Sequence, residues 1–263
     1  MNPVLSVANL TVRANDDGSF LARNVTFSIK KRQIVALLGE SGCGKTTVCR
    51  AIMNLLDKDR FRANGEIRLG KQNILPLSEK EMLAIRGRYI ASIVQNPMTA
   101  FNPTRKIGAQ IIETLHIHTG KKPGKLHLLA QEALTTVNLE NPLRIMDSYP
   151  NKLSGGMLQR VVIALALALN PKIILADEPT TALDVVNQNI ILQEFGKMKA
   201  RGLGILLVTH DFGVALKVAD EVCIMRNGEI LERGAARSVL TAPKHPFTKE
   251  FISASLLARE VPP

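Results

Sequence analysis

No stretch of this 263-residue chain is apolar for long enough to cross a bilayer. The most apolar segment, residues 161–169, is far shorter than the ~20 residues a membrane helix needs. Any membrane association must therefore come through a partner. The start, Met1-Asn2-Pro3-Val4, lacks the basic residues, apolar stretch and small-residue cleavage site of a secretory leader, so the protein is expected to stay in the cytosol. Cysteine is scarce too. Cys43, Cys49 and Cys223 form no C-x-x-C pair and no metal-ligand spacing, and they suit structural thiols in a reduced compartment. No long internal repeat or low-complexity tract is visible.

At this length the chain can bury a full core, as one large α/β domain or a domain with an inserted lobe. The charge is lopsided, with 34 Lys and Arg against 23 Asp and Glu, a net +11. That excess suits an acidic partner such as nucleic acid, an anionic membrane face or nucleotide phosphates. It suits a solvated basic surface equally, because no run of basic residues is concentrated enough to read as a tail.

Residues 39–46 read Gly-Glu-Ser-Gly-Cys-Gly-Lys-Thr and fit G-x-x-x-x-G-K-[ST] at every required position. The apolar run Ile34-Val35-Ala36-Leu37-Leu38 leads into them, and a helix is expected from there to about Leu56. The glycines permit positive φ and close backbone approach, so that amides around Gly42 and Gly44 can point at phosphate oxygens. Lys45 adds a point charge for the β and γ phosphates, Thr46 a hydroxyl for Mg²⁺, and the helix start a positive dipole end. Glu40, Ser41, Cys43 and Thr47 complete the candidate phosphate-binding set with Gly39. A glycine-rich turn with an accidental lysine is the alternative, and the leading strand and following helix argue against it.

Residues 4–12 and 23–38 are expected to be strands joined through the turn Asn15-Asp16-Asp17-Gly18, with residues 66–69 as a further strand. From about residue 78 to 150 helical periodicity with Pro and Gly breaks suggests an inserted helical lobe. Two apolar runs follow, Ile173-Ile174-Leu175-Ala176 and Ile205-Leu206-Leu207-Val208, which lack alternation as strands buried on both faces do. Each ends in polar residues, Asp177-Glu178 and Thr209-His210, so chemistry is delivered at the carboxyl ends of a parallel sheet. Asn227-Gly228 marks a hairpin within residues 223–230.

Asp177 can hold Mg²⁺ directly or through water, and Glu178 can polarise the water that attacks a γ-phosphate, although an acidic pair at a strand end also serves as a helix cap. His210 and Gln95 gain weight only from their place in the series. Ser154, Gly155 and Gly156 open a mostly apolar helix and form a second anion-ready helix start, or an ordinary N-cap.

In this order the residues resemble the ATP-binding subunits of ABC transporters. The matching segments are Gly39 to Thr46 (Walker A), Gln95 (Q-loop), Leu153 to Gln159 (signature), Ile173 to Glu178 (Walker B), Ala182-Leu183-Asp184 (D-loop) and His210 (switch histidine). The resemblance covers about residues 4–230 and implies a nucleotide-binding domain over residues 4–250, with 251–263 as a short tail. It implies a P-loop NTPase fold: an α/β parallel core sheet, an N-terminal antiparallel β subdomain and an inserted helical lobe. It also implies ATP and Mg²⁺ as ligands, with Thr46, Gln95 and Asp177 toward the metal and Glu178, His210 and Gln95 in catalysis. A head-to-tail dimer with an identical or paralogous ATPase is implied as well, in which Ser154, Gly155 and Gly156 close over ATP held by the opposite Lys45. Partners would be integral membrane permeases and, indirectly, a periplasmic or extracellular substrate-binding protein, at the cytoplasmic face of the inner membrane and without nucleic acid.

Gln95-Asn96-Pro97-Met98-Thr99-Ala100-Phe101-Asn102-Pro103, Tyr149-Pro150, Met157 and His245-Pro246-Phe247-Thr248 resemble the oligopeptide, dipeptide and nickel importer branch. No cysteine follows Cys223, so the iron–sulfur cluster of some peptide-transporting members is not expected, and the short end looks most like the nickel-importing members. Peptide import is the alternative. So is a soluble ABC-type ATPase acting on nucleic acid or ribosomes, although no long coiled coil or second cassette is present. Two departures stand out: Val12-Arg13-Ala14 replaces the usual adenine-stacking aromatic, for which Phe20 is the candidate substitute, and Arg32 replaces a turn glycine.

Overall fold

The computed structural model describes residues 2–181 and 183–260. Its first half runs β1 (Leu5–Ala14), β2 (Phe20–Ile29), β3 (Ile34–Gly39), α1 (Lys45–Ile52), β4 (Phe61–Leu69), β5 (Gln72–Asn73), α2 (Glu79–Leu83) and β6 (Ile90–Ile93). Helices α3 (Ile107–Thr119), α4 (Pro123–Thr136), α5 (Pro142–Asp147) and α6 (Gly155–Ala168) follow. The remainder is β7 (Ile173–Asp177), α7 (Val185–Ala200), β8 (Gly204–Thr209), α8 (Phe212–Val218), β9 (Glu221–Arg226), β10 (Glu229–Ala235), α9 (Ala236–Thr241) and α10 (Pro246–Glu260).

Two sheets result. The antiparallel one has the order β2-β1-β4-β5, and the other has the order β10-β9-β3-β8-β7-β6. In the second sheet β9, β3, β8, β7 and β6 pair in parallel, and only β10 turns back against β9. All six residues of β3 and all six of β8 are buried, as expected of strands covered on both faces. One apolar cluster lies between this sheet and the helices, through Leu38, Ile163, Ala176, Phe195 and Leu207. A second fills the space between the two sheets and α1, through Leu10, Phe27, Leu37, Val48 and Val208.

Three local expectations change. The expected strand over 23–38 is two strands, because Lys30 to Gln33 form a turn in which Arg32 takes φ 58°, and the Lys30 N–H is bound by Gln33 Oε1 at 2.8 Å. The left-handed conformation that glycine adopts without strain is thus carried here by an arginine. Within the segment expected to be helical, residues 90–93 form the edge strand β6, paired in register with β7. A run of four residues is too short for its period to be separated from its helical surroundings. Helix α1 ends at Ile52 rather than near Leu56, and Asn54 turns the chain at φ 50°. The expected hairpin forms, with Asn227 at φ 48° and Gly228 at φ 83°. At the end of the chain α10 runs through residue 250 without a break.

Candidate active site

Strand β3 ends between β8 and β9, with Leu38 opposite Thr209 and Ile224, so the loop that follows starts at the carboxyl edge of the parallel strands. Gly42 and Gly44 stand at φ 81° and 109°. A Cβ on Gly44 would lie 2.1 Å from the Leu21 carbonyl oxygen, and one on Gly39 would lie 2.3 Å from that of Met225. Backbone packing therefore requires glycine at both ends of the loop. The β9–β10 turn braces it, since the Gly228 N–H donates to the Cys43 carbonyl at 2.9 Å and the Arg23 N–H to that of Gly228 at 2.8 Å. Lys45 is buried, and its Nζ donates to the carbonyls of Gly39 at 2.8 Å and Glu40 at 2.7 Å. The loop and the start of α1 wall a cleft of about 520 Å³, which Phe20, Gln95 and Glu178 also line. A hollow of about 600 Å³ between the end of α1 and the antiparallel sheet, at Asn15, Lys58 and Arg62, holds none of these groups.

Asp177 is the last residue of β7. Burial pushes its carboxyl pKa up and the nearby Glu178 charge adds to this, while a hydrogen bond with Thr46 and the Lys45 charge oppose it. Its Oδ1 is buried without a hydrogen-bond partner. A carboxylate oxygen so left, beside a hydroxyl, costs free energy that a hard divalent cation would recover. Thr46, Gln95 and Asp177 line one hollow, so the oxygen donors fit Mg²⁺.

Glu178 follows at φ 45°, with its N–H on the Val208 carbonyl at 2.9 Å. Its Oε2 accepts from Gln95 Nε2 and from Thr181 Oγ1, both at 3.0 Å, and its Oε1 lies 3.3 Å from His210 Nδ1. The ends of β6, β7 and β8 therefore meet at one carboxylate. Sequence order gave Gln95, Glu178 and His210. It gave no role to Thr181, whose only signal is its spacing three residues after Glu178.

The second candidate phosphate site lies elsewhere. Ser154 caps α6 by accepting the Met157 N–H at 3.3 Å, and neither Ser154, Gly155 nor Gly156 lines the cleft. Ser154 and Gly155 are exposed, whereas Gly156 packs so closely on Asn187 that a Cβ would come within 2.7 Å of its side chain. Asn187 in turn donates to Asp184, the cap of α7, from both its backbone and its side chain. Ala182 lies outside the described residues. Gln159 is buried and donates to the Val94 carbonyl at 3.4 Å, which links α6 to the residue before Gln95. Phe20 is exposed at the mouth of the cleft with the Arg13 guanidinium 4.1 Å from its ring centroid, a pairing that distance along the chain had hidden.

Residues 22–181 match the family described as ABC transporter. The chain belongs to the ABC transporter family. This ABC protein is 39% identical over 251 residues to the metal-staphylopine import system ATP-binding protein CntD of Staphylococcus aureus, covering 95% of the chain and 92% of that relative. It is 40% identical to the dipeptide transport ATP-binding protein DppD of Bacillus subtilis, over 97% of the chain and 77% of the relative. It is also 42% identical to the oligopeptide transport ATP-binding protein OppD of the same species, over 86% and 64%. Among solved structures, the dimeric bacterial ABC transporter cassette MJ0796 matches with a TM-score of 0.77 at 29% identity, over 89% of this chain and 99% of that one. The same cassette has been seen as a dimer in a post-hydrolysis state bound to ADP and Pi, with the same match. The ABC protein is thus the ATP-binding, ATP-hydrolysing subunit of the importer branch. It uses ATP with Mg²⁺. No described helix is long and apolar enough to cross a membrane.

Proposed function

We propose that this subunit powers import of a chelated metal, nickel among them, from the cytoplasmic face of the inner membrane, with a substrate-binding protein delivering cargo to the permeases. The near full-length match with the metal-staphylopine import ATPase supports this cargo class most. Peptide import is the second reading, favoured by the similar identities to DppD and OppD, of which the chain covers smaller shares. Among the described residues no group of three or more His, Cys, Asp or Glu could hold a metal, so cargo chemistry belongs to the partners in either reading.

In the hydrolysis cycle Lys45 and the amides of residues 39–46 bind the β and γ phosphates, and Thr47 extends the amide row into the first turn of α1. Thr46, Asp177 and Gln95 would hold Mg²⁺, which would supply positive charge against the phosphates. Glu178 accepts a proton from the attacking water, and His210 steadies the γ-phosphate from the end of β8. Phe20 and Arg13 offer flat faces on which the adenine stacks. Ser154, Gly155 and Gly156 close over the nucleotide of the opposing subunit, and an apolar groove between β6 and the lobe, walled by Met53, Ala91, Phe101 and Val162, receives a permease segment. These assignments place the nucleotide-binding domain near residues 4–250, with the lobe inserted near 78–150, although α10 continues past 250 and packs Phe251 on Phe212.

The test is co-purification from detergent-solubilised native membranes, followed by ATPase assay with the recovered permeases and binding protein. Stimulation by a nickel chelate and not by dipeptides supports metal import. Stimulation by dipeptides alone assigns the subunit to peptides, and recovery of ribosomes or nucleic acid without permeases removes the transport role.

A further inference from the structure

The carboxylate of Glu178 is held by three side chains from three places in the chain, and they differ in what else they must do. Gln95 stands beyond the edge strand β6, and His210 at the end of β8 has half its side chain in solvent. Both have roles toward nucleotide and metal in the hydrolysis cycle proposed above, so their bonds to Glu178 compete with those roles. Thr181 has no such second duty. Its hydroxyl donates to Glu178 Oε2 at 3.0 Å, and its own N–H donates to the Glu178 carbonyl at 3.2 Å, closing a turn within the same four residues.

This double tether sits on a residue with unusual backbone. Glu178 is at φ 45°, a left-handed conformation that strains a non-glycine residue and persists only where neighbouring bonds hold it. The Glu178 N–H on Val208 fixes one side of that conformation and Thr181 fixes the other. The hydroxyl also sets the division of labour between the two carboxylate oxygens. With Oε2 accepting from Thr181, Oε1 keeps both of its acceptor sites once His210 turns to the nucleotide, and it is the more open oxygen for the water proton.

We infer that Thr181 is a positioning residue for ATP hydrolysis: its hydroxyl holds Oε2 of Glu178 so that Oε1 faces the attacking water while Gln95 and His210 engage the nucleotide. The inference rests on Glu178 being the base. A donor lost from a charged acceptor costs about tenfold in rate when its effect is confined to the transition state.

The experiment compares Thr181→Val, Thr181→Ala, Thr181→Ser and Glu178→Gln in the full-length chain, measuring kcat, KM for ATP and ATP-dependent dimerisation by sedimentation. Val keeps the shape of threonine without the hydroxyl, and Ser keeps the hydroxyl without the methyl. The expected result is that Val and Ala lower kcat about tenfold with KM within twofold and dimerisation unchanged, while Ser stays near the parent. Val at the parent rate, or Ser as slow as Ala, overturns the inference by showing that the hydroxyl does not act or that packing does. A changed KM or lost dimerisation overturns it as well, by placing Thr181 in binding. Full turnover by Glu178→Gln removes the base assignment itself. Loss in Glu178→Gln with Val at the parent rate removes the role of Thr181 alone.

Discussion

Two helices of this protein begin at glycines suited to phosphate, and they differ in what each can do unaided. The start of α1 is enclosed: Gly44 lies against the Leu21 backbone, Lys45 is buried, and the β9–β10 turn grips the loop through Gly228. The start of α6 is open. Ser154 and Gly155 are exposed, a Cβ at Gly155 would meet nothing within 4 Å, and the nearest support is Asn187 against Gly156. The first is shaped by its own chain, and the second stands open to solvent. Two glycine-bearing helix starts thus acquire different surroundings from the fold.

The largest effect that separates the two starts comes from Glu178→Gln. Turnover should fall by about 10²–10³-fold while ATP still binds at α1, and a dimer should accumulate on sedimentation with ATP because both starts remain engaged. Unchanged turnover would show that closure of the second start is not tied to this carboxylate.

Next, Gly44→Ala should cost roughly 3 kcal/mol or more, because it adds a clash with the Leu21 carbonyl to strain at φ 109°. Thermal unfolding without nucleotide reads this. Gly155→Ala sharpens the contrast: the melting temperature and ATP binding by the isolated subunit should be those of the parent, while ATP-dependent dimerisation and turnover fall about tenfold. A lowered melting temperature for Gly155→Ala would mean that α6 needs this glycine for its own fold, and the comparison would break.

The smallest effect concerns Asp177. Its folded pKa is raised, so the neutral form is favoured by the fold; the group adds stability below its unfolded pKa and loses it as pH rises through the folded one. Asp177→Asn, neutral at every pH, should therefore raise the melting temperature at pH 7 by about 2–4 °C in the free protein and abolish the stabilisation given by Mg²⁺ with ATP. Calorimetry with and without Mg²⁺ and ATP checks both signs.

Much of the site was legible in the chain because each part is local. Residues 34–46 carry strand, loop and helix start in one segment, and Asp177-Glu178 and Thr209-His210 end short apolar runs that lack alternation, as strands buried on both faces do. Strand β6 was not legible, since four residues amid helical periodicity give no separate signal, and Gln95 therefore had a place in an order without a visible strand to deliver it. The left-handed turn at Arg32 was signalled only by its standing where the family has a turn glycine, because arginine itself gives no hint of positive φ. The bond from Thr181 and the pairing of Arg13 with Phe20 depend on side-chain directions that spacing does not fix.

The amino-acid sequence by itself determined which segments carry glycine-rich helix starts and which strands are buried, because glycine placement and apolar runs act over a few residues. Only the tertiary structure decided that Gln95, Glu178 and His210 share one carboxylate while Ser154 and Gly155 stand apart from it. That outcome follows from the strand order β3-β8-β7-β6, which brings the ends of β6, β7 and β8 to one edge. Strand order is set by pairing and packing between segments tens of residues apart, and no local pattern encodes it.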